Sequence, residues 1–142
     1  MDLLTPDLRQ SLSANAAARE EAARCGAREP DPVPVVKFFN PCGAATWLLT
    51  ELYPDGDTLF GLCDLGFGCP ELGSVSLAEI ASVRVPFGLG IERDLHFAAN
   101  HPLSIYAEAA RRQGGIVEDA AALADAARRL SAERDQLPPS PP

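Results

Sequence analysis

Between residues 35 and 77 the apolar positions fall in short blocks separated by turn residues, which is the pattern of strands. "VVKFF" (35–39) predicts the first. "TWLLTEL" (46–52) predicts the second, and its unbroken apolar middle asks for cover on both faces of a sheet. "YPDGD" then turns the chain: Pro54 sets φ, and Gly56 takes the left-handed position of a hairpin. "TLFGLCDL" (58–65) is the returning strand. "GSVSL" (73–77) is a short strand running into a helix, and "IERDLHF" (91–97) is the last strand.

Helical spacing dominates the two ends. Thr5-Pro6-Asp7 is a helix start, with a capping hydroxyl, a proline suited to the first turn and an acid at the positive helix end. The helix runs through "SANAAAREEAARC" to Gly26. Ser76 and Glu79 form a capping box flanked by Val75 and Ile80 at staple positions, so a short helix is expected over 77–84. Two more follow, over 102–112 and 117–135. In the last, Ile116, Ala120, Leu123, Ala127 and Leu130 make a narrow stripe.

The connections are too short for parallel crossovers. The expected fold is therefore α+β: a small, mostly antiparallel sheet of four or five strands, an N-terminal helix, a short capped internal helix and C-terminal helices. Residues 1–114 form the expected domain, 115–137 an accessory helix that buries little, and 138–142 a disordered proline-rich tail.

Composition narrows the class. The chain has 142 residues, 46% of them apolar, enough for one modest core and too many for disorder. No apolar run reaches the ~20 residues of a membrane span. The acidic start "MDLLTPDLRQ" does not resemble a signal peptide, so a cytoplasmic, non-membrane protein is expected. The formal net charge is −8, and residues 31–100 hold nine acids against three bases. That surplus argues against direct nucleic-acid binding by this region. The four cysteines show no CxxC pair and no zinc-finger histidine, so neither a metal nor a cofactor is expected.

The segments "DPVPVVKFF", "TWLLTE", "DGDTLFGL" and "PELGSVSLAEIASVRVPFGLGIERDLHF" occur in an order that resembles the bacterial family of domain of unknown function 2958, over about residues 3–104. The resemblance implies a setting on plasmids and other mobile elements and carries no activity. Leu48 stands where the family pattern has an aromatic residue, and the helix over 117–135 lies beyond the pattern.

Candidate chemistry centres on "IERDLHF". Read as a strand, it places Glu92, Asp94 and His96 on one polar face and Arg93 among apolar neighbours on the other. A guanidinium there needs a carboxylate. Glu51, expected on the strand face of Trp47 and Leu49, is the first choice, and Glu71 is the second. Arg93, Glu51 and Glu71 are thus a candidate ion-pair cluster or anion pocket, and Trp47 a candidate stacking residue. There is no phosphate loop, nucleophile elbow or calcium loop. The expected function is a non-catalytic binding or regulatory protein acting through a protein partner or self-association. The alternative is a small enzyme or ligand-binding domain around Glu51, Glu71 and Arg93.

Overall fold

The computed structural model describes residues 2–136. The expected tail at 138–142 lies outside them. Helix α1 (Pro6–Arg24) is followed by strands β1 (Val36–Phe39), β2 (Thr46–Leu52), β3 (Thr58–Asp64) and β4 (Glu71–Ser76). Helix α2 (Leu77–Ser82) leads into short strands β5 (Arg84–Val85), β6 (Leu89–Gly90) and β7 (Glu92–Arg93). Helices α3 (Leu103–Gln113) and α4 (Ala120–Gln136) come last. The sheet is antiparallel in the order β4-β3-β2-β1-β7, and β5 and β6 form a separate hairpin. The fold is α+β.

Strand β2 is central and buried from Trp47 to Leu52, as its apolar run requires. One face of the sheet packs Phe38, Trp47, Leu49 and Leu59 under Leu4 and Leu12 of the N-terminal segment and α1, with Leu77 and Ile80 of α2. The other face packs Leu48 and Leu62 under Leu103, Tyr106 and Ala110 of α3 and Leu123 and Ala126 of α4. Each buried leucine of this kind contributes about 1.5–3 kcal/mol. Helix α4, expected as an accessory, shares this second core through Leu123 and Ala126, both almost fully buried.

A β-bulge breaks the alternation of β2. Leu49 lies opposite Gly61 and Glu51 opposite Phe60, so Thr50 is the extra residue. At this point a Cβ on Gly61 would stand 2.1 Å from the Leu48 carbonyl oxygen, so only glycine fits.

Turns and caps absorb the polar side chains beside them. Thr5 Oγ1 accepts from Leu8 N at 3.2 Å and starts α1. Ser76 Oγ accepts from Glu79 N at 3.2 Å and donates to Asp57 Oδ2 at 2.7 Å, while Asp57 Oδ1 accepts from Ala78 N. The Ser76 half of the expected capping box is therefore reinforced by an acid nineteen residues away, and α2 ends at Ser82, two residues short of expectation. Gly56 is left-handed in the β2–β3 turn, where Asp55 Oδ1 accepts from Asp57 N and Thr58 N. These bonds hold the Asp55 carboxyl below its usual pKa, with the Thr58 hydroxyl the largest cause.

Candidate functional site

The predicted polar strand 91–97 is mostly a turn. Strand pairing covers Glu92 and Arg93 alone, opposite Phe39 and Phe38. Asp94 Oδ1 then accepts from His96 N at 2.9 Å, closing a tight turn of the kind aspartate favours. Asp94 also faces Lys37 at 3.6 Å, and Lys37 bonds Glu118 at 2.6 Å. Asp94 N still donates to Lys37 O at 3.0 Å, but the turn that begins there, with Phe97 N on Asp94 O, breaks the strand before His96. His96 is exposed.

The cluster of Arg93, Glu51 and Glu71 is not assembled either. Arg93, Phe38, Trp47, Cys63 and Glu71 form one row across the whole sheet. Arg93 and Glu71 sit at its two ends, about 19 Å apart at the usual strand spacing. Arg93 instead donates to the carbonyl oxygens of Asp2 and Leu3 at 2.7 and 2.9 Å, pinning the N-terminal segment to β7. The bulge at Thr50 takes Glu51 off the face of Trp47 and Leu49. Its carboxylate meets Arg19 of α1 at 2.6 Å, and that guanidinium lies over the Tyr53 ring. The Glu51 hydrogen bond raises the Arg19 pKa above its ordinary value.

The central acids are largely committed to the fold. Asp31 accepts from Ser104 N and Oγ and caps α3. Asp64 accepts from Gly66 N and Ile116 N, tying the C-terminal segment to the end of β3. With Glu51, Asp55, Asp57 and Asp94, this leaves Glu71, Glu79 and Glu92 of the nine acids in residues 31–100 without such a duty. Among the described residues no three His, Cys, Asp or Glu side chains converge as metal ligands. Cys63, half-buried beside β4, has its thiol pushed up to about 11 by burial, with Glu71 adding to the shift.

A concavity of about 480 Å³ lies between Leu3, α2 and the β5–β6 hairpin. Among the described residues its charged lining is Arg84 and Glu92. The Arg84 guanidinium already donates to the Ala81 and Val83 carbonyls, so it serves the backbone of the α2 exit.

What distinguishes the surface is apolar. Three loops meet at one end of the sheet. Cys42 of the β1–β2 loop contacts the Pro86 carbonyl at the tip of the β5–β6 hairpin. Gly66 of the β3–β4 loop lies so close to Ala44 that a Cβ there would stand 2.9 Å from the alanine methyl. From these neighbouring loops Phe67 and Phe87 project, 84% and 93% exposed. Phe87 has φ +66°, the left-handed conformation that costs a residue with a Cβ about 1–2 kcal/mol. Leu65 leads from the loops to a groove of about 350 Å³ beside β4, whose floor includes Trp47, Val75 and Ile80. Trp47 packs in the sheet-face core and is almost fully buried. Sequence reasoning missed this surface. "PFGLG" shows a turn, and nothing in it says that the phenylalanine takes the strained position.

The family model described as "Protein of unknown function (DUF2958)" matches residues 3–117, and the chain belongs to that family. The match takes in α3 and ends before α4. No curated protein and no solved structure matches the chain.

Proposed function

We propose that this protein is a non-catalytic binding protein that acts through protein–protein contacts at the loop end of its sheet, as a regulatory accessory of a mobile genetic element. The mobile-element setting rests on the family resemblance. The contact reading rests on one observation: a bulky aromatic, Phe87, is held left-handed and almost fully exposed at a hairpin tip, and the exposed Phe67 stands on another loop that meets the β1–β2 loop. Exposed aromatics of this kind supply most of the energy in protein interfaces. Backbone strain at a side chain that packs against nothing contributes nothing to folding, and such strain concentrates where a chain meets its ligand.

The test is Phe87→Gly combined with Phe67→Ser, used as bait in affinity capture from the source cell beside the unaltered chain. Relief of about 1–2 kcal/mol of strain offsets the ~0.5–1 kcal/mol entropy cost of glycine, so the fold keeps its stability. A protein retained by the unaltered chain and lost with the folded double variant is the expected result. Equal retention by both, or unfolding of the variant, removes the basis of the reading.

A further inference from the structure

The two outer strands of the sheet differ in length and in cover, and β4 is the long one. All six of its residues pair with β3 on one side, and among the described residues no strand pairs with the other. Leu77 N donates to Asp57 O at 2.9 Å, continuing the β3–β4 ladder in the phase of Val75, Gly73 and Glu71. In an antiparallel ladder the alternate residues point their N–H and C=O the other way. The main-chain groups of Leu72 and Ser74 therefore face outward. Protected edges carry proline, lysine or a covering element. Residues 71–76, "ELGSVS", have neither residue, Leu72 is 50% exposed, and a Cβ at Gly73 would meet open space.

Both sheet faces are hollow beside this edge, with different chemistry. On the α1 side lies the apolar groove of Trp47, Leu65, Val75 and Ile80, about 350 Å³. On the α3 side lies a groove of about 230 Å³ that holds Leu72, Phe60 and the acids Glu29, Asp31 and Glu51. Glu79 stands at the first groove and Glu71 at the start of the strand, both exposed. Neither groove has a lysine or arginine among its described lining residues.

We infer that β4 accepts an extended segment of a partner protein as a sixth strand. The segment alternates apolar residues, which enter the Trp47 groove, with Lys or Arg, which face Glu29 on the α3 side, where Glu51 and Asp31 are already held by Arg19 and Ser104. Strand addition of this kind takes its affinity from main-chain bonds and its specificity from alternate pockets. The charge argument selects the occupant. A second copy would bring another chain of net charge −8 to this edge, whereas a basic strand brings the opposite sign. This inference deepens the protein-binding reading and rests on it.

The experiment titrates the full chain with the peptide acetyl-Lys-Val-Arg-Val-Lys-Val-amide and follows backbone amides by NMR. The Leu72 and Ser74 amides are expected to shift and to gain exchange protection. Ser74→Pro removes an outward N–H and leaves the β3 ladder its bonds, so affinity falls about tenfold or more. If that variant misfolds, the same peptide N-methylated at alternate residues removes the main-chain bonds from the ligand side, with the same loss expected. A peptide with Glu in place of the basic residues does not bind. Binding that ignores N-methylation, equal binding of the acidic peptide, or dilution-dependent shifts of Leu72 and Ser74 without peptide each overturn the proposal, the last in favour of a second copy. If the cell partner is captured through Phe87 while this peptide leaves Leu72 and Ser74 unmoved, strand addition fails and the protein-binding reading survives.

Discussion

At one edge of the sheet β7 contributes two residues, and at the other β4 contributes six. The short edge is closed by its own surroundings. Arg93 reaches past the strand to the carbonyls of Asp2 and Leu3, which brings Leu3 and Leu4 over the core. The turn at Asp94 ends the strand before it offers a ladder. The long edge has none of this, and the grooves on both its faces stay open. A chain that closes one edge and leaves the other open places its capacity for contact on one side. That side is continuous, through Leu65, with the loop that carries Phe67.

Among the described residues β3 is the one strand that pairs with β4, so the largest effect comes from separating β3 from β2. Gly61 and Gly73 lie directly opposite each other. A methyl at Gly61 would meet the Leu48 carbonyl oxygen at 2.1 Å and the Leu49 Cα at 2.7 Å, both of them backbone. A methyl at Gly73 meets nothing. Gly61→Ala should cost about 3 kcal/mol or more, and Gly73→Ala should fall within about 0.5 kcal/mol of the parent. Urea midpoints decide it. Equal costs would mean that β4 is packed on its outer side as tightly as β3 is on its inner side.

The closed edge is tested at Arg93. Its guanidinium bonds to two main-chain carbonyls, and bonds from a charged donor contribute about 1.5–3 kcal/mol. Arg93→Ala is expected to lower stability by about 2 kcal/mol and to raise hydrogen exchange in residues 3–8. Glu92→Ala, beside it on β7, should change stability by less than about 0.5 kcal/mol. If Arg93→Ala leaves the N-terminal amides protected, the edge is closed by something other than this side chain.

These contrasts also mark what the amino-acid pattern could disclose. β2 was legible because its apolar run is local and continuous. So was the α2 cap, whose Ser76, Glu79, Val75 and Ile80 lie within six residues. Three features were hidden, each for its own reason. The bulge at Thr50 depends on the partner strand, and it carried Glu51 from the expected face to Arg19. The Asp2 and Leu3 carbonyls that Arg93 bonds are main chain about ninety residues away, which no side-chain pattern can announce. The left-handed Phe87 precedes Gly88, also left-handed, and sequence alone favours the glycine for that role.

Ser76 joins the open edge to α2 and gives a smaller effect. Ser76→Ala removes the cap on Glu79 N and strands one oxygen of Asp57, at a cost of about 1 kcal/mol. Asp57 Oδ1 still accepts from Ala78 N, which limits the loss. A thermal midpoint identical to the parent would show that Asp57 alone starts the helix.

The smallest stability effect is expected at the open edge itself. Leu72 points toward the α3 side, half exposed beside Phe60, and its main-chain N–H and C=O face away from β3. Leu72→Lys keeps the stem of the side chain over the same surface and carries its ammonium into water, close to Glu29 and Asp31. The lost apolar contact and the gained attraction are both small in an exposed setting, so the urea midpoint should move by less than about 0.5 kcal/mol. The change nonetheless installs the residue that natural edges use against unwanted pairing, and it sets a positive charge where a basic strand would lie. Its expected signature is unchanged stability with lost capture of the basic peptide. A fall in stability of more than about 1 kcal/mol would mean that Leu72 is buried in solution. The edge would then already be occupied, and the asymmetry between β4 and β7 would vanish with it.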